Sequence, residues 1–305
     1  MISWVGIDIS KSNLVVWVKP QSEGFDVSNT SEGFLELIRR LSQFEVSLIL
    51  LEATGGYERN AMAALQGANF KVLRVNPRRA RSFAVAMGKN AKTDAIDAAV
   101  LADFAEVLNA SSSKVILPER EALRELVQQR EHFVQQRDDN KRRLQQAQLP
   151  AVIALIKGHI HFLQTQIRQL DKAINQSMHE LDAEKAQRLI SVKGIGTVAT
   201  ASLLVYLPEL GELDRREVAA LAGIAPLNDD SGNHSGKRHI YGGRARVRRA
   251  LYMSCWVVIR HQPDFKARYE GLRERGKSAK VALIACMRVL LIRLNAMLRD
   301  GTEWR

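Results

Sequence analysis

The chain has 305 residues, 46% hydrophobic and 26% charged, which fits a folded protein of more than one domain and excludes an intrinsically disordered one. A net charge of +12 and a pI near 9.9 point to a polyanionic partner. The two cysteines, Cys255 and Cys286, lie in apolar helical stretches and are too few for a zinc motif or a disulfide framework.

Residues 2–8 and 13–19 are β-rich and flank a short Ser-Lys-Ser turn, which predicts a hairpin. A third short strand is expected near 24–27, and Ser31 opens a run with helical spacing. Strand 47–52, helix 57–67, strand 70–75, a helix from 77 and a helix over 94–107 complete the order β-β-β-α-β-α-β-α. Such alternation predicts a mixed sheet flanked by helices. No stretch approaches the roughly 18 apolar residues of a membrane span. Met1-Ile2-Ser3-Trp4 runs straight into a strand instead of a secretory leader, so a cytoplasmic protein is expected.

Four carboxylates stand out along this half. Asp8 closes the first strand, Glu52 closes the fourth, and Asp94 and Asp97, three apart, share one face of the last helix. Unpaired carboxylates are costly to bury, and they make sense together if Mg²⁺, which takes oxygen ligands, binds between them. That arrangement serves phosphoryl transfer on a nucleic acid. Asp103 lies nine residues past Asp94, about 180° around the helix, and is set aside. Residues 59–93 hold eight Lys or Arg and no acid, among them Arg78, Arg79, Arg81, Lys89 and Lys92. Residues 236–249 hold six more, Lys237, Arg238, Arg244, Arg246, Arg248 and Arg249, again with no acid. Each run borders a candidate site, which favours contact with a phosphate backbone over a merely solvated face.

Pro118 and Pro150 mark breaks on either side of a polar, Gln- and Arg-rich helical stretch. Beyond it Ile160, Leu163, Ile167, Leu170, Ile174 and Leu181 form a narrow apolar stripe, compatible equally with an intermolecular coiled coil and with a hairpin folded on its own chain. His159 and His161, two apart on that helix, diverge and are not expected to share a metal. Lys193-Gly194-Ile195-Gly196 then precedes a small-residue helix. It reads either as a phosphate-binding turn at a helix N-terminus or as a plain interhelical turn. A helix over 216–222, a polar loop over 227–243, and helices over 244–261 and 278–299 complete the chain. Ser231, followed by Gly232, sits in the polar loop beside the second basic run. On residue type alone it is a turn serine, and Ser235, also before a glycine, is its nearest competitor.

Taken together, Gly6-Ile7-Asp8, Leu51-Glu52-Ala53-Thr54-Gly55, Asn76-Pro77 and Lys92-Thr93-Asp94-Ala95-Ile96-Asp97-Ala98 resemble the insertion sequence 110 family of transposases, the DEDD recombinases related to the Piv DNA invertase. Gly194-Ile195-Gly196, Leu221-Ala222-Gly223-Ile224-Ala225-Pro226, Ser231-Gly232 and Leu251-Tyr252-Met253 carry the likeness through the second half. Lys193 stands where the family often has Pro, which touches only a turn.

The resemblance implies an α/β chain with three parts: a RuvC/ribonuclease-H-like DEDD domain over 1–110, a helical or coiled-coil connector over 111–183, and a mainly α-helical transposase domain over 184–305. It implies that Asp8, Glu52, Asp94 and Asp97 bind Mg²⁺, with Mn²⁺ as substitute, and that Ser231 is the nucleophile. Donor and target DNA, a structured non-coding bridge RNA, and further copies of the chain in a dimer or tetramer are the implied partners, in the bacterial cytoplasm or nucleoid and away from membranes. Lys193, Gly194 and Gly196 join the basic residues named above as expected nucleic-acid contacts. The alternative is a RuvC-like structure-selective endonuclease with water as nucleophile. A non-catalytic nucleic-acid-binding module explains the charge but not four acids amid so much Lys and Arg.

Overall fold

A computed structural model describes residues 1–89, 91, 93–108, 117–227, 230–231, 234–235 and 239–304. The chain divides into two compact units, Met1–Ile116 and Leu117–Arg305.

In the first unit, β1 (Ile2–Ile9), β2 (Asn13–Lys19) and β3 (Glu23–Ser28) form an antiparallel meander, while β4 (Glu45–Glu52) and β5 (Val72–Val75) add in parallel beside β1. The sheet order is β3-β2-β1-β4-β5. Side chains alternate along each strand, so each face has its own core. Val5, Ile7, Ile9, Ile49 and Leu51 pack on one face against Phe34, Leu37 and Leu41 of α1 (Ser31–Leu41) and Ala61, Met62 and Leu65 of α2 (Glu58–Gly67). Leu48, Leu50 and Val75 pack on the other against Ala80 of α3 (Pro77–Ala86) and Leu101, Phe104 and Ala105 of α4 (Asp94–Leu108). The result is a mixed sheet between two helical layers, as the alternating order predicts.

Local chemistry starts these helices where it should. Thr30 accepts a hydrogen bond from Gly33 N at the head of α1 (3.3 Å), and Asn76 accepts one from Arg78 N ahead of Pro77 (2.9 Å). Thr93 accepts from Ile96 N (3.2 Å), which anchors the start of α4.

The second unit is mostly helical. Pro118 and Pro150 each begin a helix instead of only ending one: α5 (Pro118–Leu144) and α6 (Pro150–Ser191). Proline suits the first helical position, because its missing N–H would be unpaired there anyway. The two helices lie against each other as a hairpin, with Arg130 paired to Asp171 (2.5 Å) and the Asn140 amide near His159 Nδ1 (3.3 Å). The apolar stripe of Ile160, Leu163, Ile167 and Ile174 is therefore buried within one chain. Asp182 leaves helical geometry (φ −166°, ψ 87°), and its side chain caps the restarted helix through Lys185 N (2.9 Å).

Beyond that break come α7 (Thr197–Tyr206) and α8 (Arg215–Ala222), the latter opened by a reciprocal Asp214–Glu217 capping box. The expected polar loop is instead partly paired. The strands β6 (Pro226–Leu227) and β9 (His239–Ile240) pair antiparallel around a second ladder of β7 (Asp230–Ser231) and β8 (His234–Ser235). Helices α9 (Ala245–His261), α10 (Pro263–Glu274) and α11 (Ala279–Asp300) close the chain, α10 being a helix that the sequence left unassigned.

The expectation that no stretch is long and apolar enough to span a membrane is corrected for α11, which passes by length and composition. Its apolar character has a nearer cause: Leu283, Cys286, Leu290, Leu291 and Leu294 are buried in the core of the second unit with Cys255 and residues of α7. Burial pushes the Cys255 thiol up to about 12, so it stays protonated.

Candidate active site

Trp4, Gly6 and Asp8 share one face of β1, and α4 crosses that face directly over Gly6. A Cβ at Gly6 would stand 2.0 Å from Ala98 O and 2.4 Å from Ala102 N, so only glycine lets the helix lie this close. The first turn of α4, with Asp94 and Asp97, is thereby brought to the end of β1 where Asp8 lies. Parallel pairing of Ile7 with Leu51 sets the second coordinate: Asp8 and Glu52 are each one residue beyond that pair. Both carboxylates so fall at the carboxyl ends of adjacent parallel strands, the usual place for a site in an open sheet.

Asp8, Glu52, Asp94 and Asp97 all line one cleft of about 430 Å³, walled by Pro77, Ala80 and Ala84 of α3 and Val100 and Leu101 of α4. Arg81 reaches the same cleft from α3. The donor set consists of hard carboxylate oxygens, with no Cys or His among the lining residues, and suits Mg²⁺ or Mn²⁺ over a soft metal. The side chains share the cleft but not yet one coordination shell: among the described residues, no three His, Cys, Asp or Glu stand close enough to hold an ion.

Asp103 lies away from the cleft, as its helical phase predicts. It accepts hydrogen bonds from Lys19 and Lys89 (2.8 Å each), and Lys19 also donates to Glu106 (2.6 Å). Hydrogen bonds to Asp103 and Glu106 raise the Lys19 pKa above its usual value. Burial pushes the Asp103 carboxyl up, but the two lysines outweigh it and hold it below the usual 3.8. Lys89, an expected nucleic-acid contact, is thus tied to α4.

The other expected contacts divide in the same way. Arg78, Arg79 and Arg81 are exposed along α3, and Arg79 also lies over the Phe104 ring (5.8 Å). In the second unit Arg244 grips Glu209 with both terminal nitrogens (2.5 and 2.7 Å), and Arg246 holds the Tyr206 hydroxyl and lies over its ring. Arg248 donates to Ala222 O (3.1 Å) and Gly242 O (2.5 Å), which joins the two ends of the paired ribbon. Arg249 and Lys193 are exposed. Gly194 packs on α9, where a Cβ would meet Val258 N at 3.0 Å, whereas Gly196 caps α7 with open space beside it. Ser231 pairs with His234 in the β7–β8 ladder, and its side chain lies outside the described residues, as do Lys92, Lys237 and Arg238. A third acid-free run escaped notice in the sequence: residues 140–170, around the turn of the α5–α6 hairpin, carry five Lys or Arg and no Asp or Glu.

Comparison with known proteins supplies the function class. Residues 5–151 match the DEDD-type IS110 transposase family, and residues 186–270 match the transposase family of IS116, IS110 and IS902. The chain is 28% identical to the pilin gene-inverting protein of Moraxella lacunata, over 98% of this chain and 96% of that one. It is 29% identical to an uncharacterized 43.6 kDa protein of insertion element IS110 from Streptomyces coelicolor, over 50% of this chain and 38% of that one. With the transposase for insertion sequence element IS1328 of Yersinia enterocolitica it shares 28% identity, over 39% of this chain and 35% of the other. The class is that of DNA transposases and invertases, enzymes of DNA recombination. Within it, the chain belongs to the IS110 family of transposases.

Proposed function

We propose that this transposase cuts and rejoins DNA with the Asp8, Glu52, Asp94 and Asp97 carboxylates holding Mg²⁺ or Mn²⁺ and the Ser231 hydroxyl acting as nucleophile. The observation that carries the reading is the convergence of four acids from β1, β4 and α4 on one cleft beside the exposed arginines of α3. The strand order β3-β2-β1-β4-β5, antiparallel then parallel, supports a RuvC-like first domain. The break at Asp182 supports a helical connector ending near 183, packed in one compact unit with the C-terminal transposase region that follows it.

Asp8 and Glu52 would hold a divalent cation from adjacent strand ends, and Asp94 and Asp97 from the first turn of α4; once bound, it would supply charge neutralisation at the phosphate. Arg81 neutralises further charge on the phosphate from the cleft wall, while Arg78 and Arg79 track the backbone. Ser231 Oγ attacks the scissile phosphorus, forms a 5′-phosphoserine-type ester and releases a strand hydroxyl that takes up a proton. In strand exchange a hydroxyl of the other DNA attacks that ester and returns Ser231 to its free form. The ribbon clamped at its base by Arg248 carries Ser231 to the phosphate, and the acids that serve it come from another copy in a dimer or tetramer. A bridge RNA on the basic surfaces chooses donor and target in the cytoplasm, where the DNA lies.

Ser231→Ala and Asp8→Asn test the reading on matched DNA and RNA. Neither variant should recombine, and denaturing gels should show a protein–DNA adduct only with Ser231 intact. Full recombination by Ser231→Ala removes the serine from the chemistry, and cleavage without any adduct leaves hydrolysis by water.

A further inference from the structure

Glu58 is a buried carboxylate (3% exposed) outside the cleft, at the start of α2. Its Oε2 accepts hydrogen bonds from Gly56 N (2.8 Å), Thr54 N (3.2 Å) and Thr54 Oγ1 (3.4 Å), and its Oε1 accepts from Arg74 Nη1 (3.1 Å). Thr54 and Gly56 belong to the turn that follows Glu52. The strand ladder ends there, with Glu52 beside Val75 and Ala53 N donating to Val75 O (3.1 Å). The chain then passes through Gly55 and Gly56, both at positive φ (78° and 124°). Two successive glycines give this turn a large conformational entropy to lose, and two inward N–H groups need an acceptor. A nest of N–H groups of this kind binds anions, and here the anion belongs to the chain itself. Burial pushes the Glu58 carboxyl up, but the backbone N–H groups and Arg74 prevail and keep it below the usual 4.5, in the charged form that accepts these bonds best. Arg74 lies on β5 beside Leu51, so the clamp ties the turn to the strand next to Glu52.

We propose that Glu58, with Arg74, is a positioning residue that locks the 53–56 turn and thereby holds the Glu52 carboxylate where it can share a divalent cation. The proposal rests on the reading of Glu52 as a cation ligand. A hydrogen-bonded support behind a ligand generally tunes metal affinity without touching the metal.

Mn²⁺ binding to the whole chain, followed by electron paramagnetic resonance at a temperature well below unfolding, tests it with Glu58→Gln, Glu58→Ala, Arg74→Met and Glu52→Gln. Mn²⁺ affinity should fall about tenfold in Glu58→Gln and Arg74→Met and up to about a hundredfold in Glu58→Ala, the range for lost support behind a ligand. DNA cleavage by Glu58→Gln should return toward the wild-type rate at saturating Mn²⁺. A role in stability alone lowers the unfolding temperature but leaves Mn²⁺ affinity unchanged. That result, with Glu52→Gln having lost the site, overturns the positioning role. If Glu52→Gln binds Mn²⁺ as the wild type does, the ligand reading fails, and this inference with it. Should Glu58→Ala not fold, the two volume-preserving variants carry the test.

Discussion

Gly6→Ala is the sharpest perturbation the fold offers, because it moves the site without touching any of its side chains. The new methyl group would stand 2.0 Å from Ala98 O, where real contacts are essentially never under 3.0 Å. The obstacle is helix backbone, not a side chain that can swing away, so α4 must retreat by about 1 Å, taking Asp94 and Asp97 with it. Overpacking of this kind costs about 1–3 kcal/mol. For a unit of this size that corresponds to a fall in Tm of roughly 4–15 °C. A displacement of about 1 Å at a reacting centre can cost about 10²-fold in rate. Calorimetry of the purified chain and a DNA cleavage assay well below Tm read the two effects separately. Wild-type Tm together with wild-type cleavage would refute the claim that direct packing of α4 on β1 sets the acidic cleft.

Arg249→Ala should leave the unfolding midpoint unchanged and lower the slope of log affinity for DNA against log salt by about 1. Arg244→Met should do the reverse, costing about 1–2 kcal/mol of stability through the lost two-pronged pairing with Glu209 while the slope stays put. Arg248→Met should unfasten the base of the ribbon, reducing recombination more than thermal stability, and hydrogen exchange at Ile240 should quicken while α9 stays protected. The Lys19–Asp103–Lys89 cluster should give an acid-sensitive contribution to stability. Because the Asp103 carboxyl is held below 3.8 in the folded chain, its contribution is present above that value and fades as pH falls through the lowered one. Asp103→Asn should flatten that part of a plot of urea midpoint against pH.

Much of the first unit was legible because its strands obey a two-residue period and its helices follow short polar residues, although the cap of α1 is Thr30 and not Ser31. The four acids could be singled out because carboxylates at the ends of apolar runs conflict with burial. Other features depend on partners distant in sequence. Nothing near Gly6 tells that a helix 92 residues later rests on it. Arg244, Arg246 and Arg248 looked like a free basic run, and only the fold shows Glu209, Tyr206 and two carbonyls meeting them. Glu58 passed unnoticed because a glutamate in a first helical turn is ordinary, and its work is done on the backbone behind it. The stripe on α6 was ambiguous for a different reason: the same spacing serves a zipper and a hairpin, and the polar face of α5 hid its partner.

The central claim is that Asp8, Glu52, Asp94 and Asp97 share a divalent cation. Crystals grown with Mn²⁺ and measured at its absorption edge test it most directly, because anomalous scattering locates the ion independently of any assumption about the protein. The account predicts an anomalous peak in the cleft, about 2.0–2.6 Å from oxygens of carboxylates on all three elements, β1, β4 and α4. A fully loaded crystal with Mn²⁺ bound elsewhere, and these four side chains still apart, would contradict it.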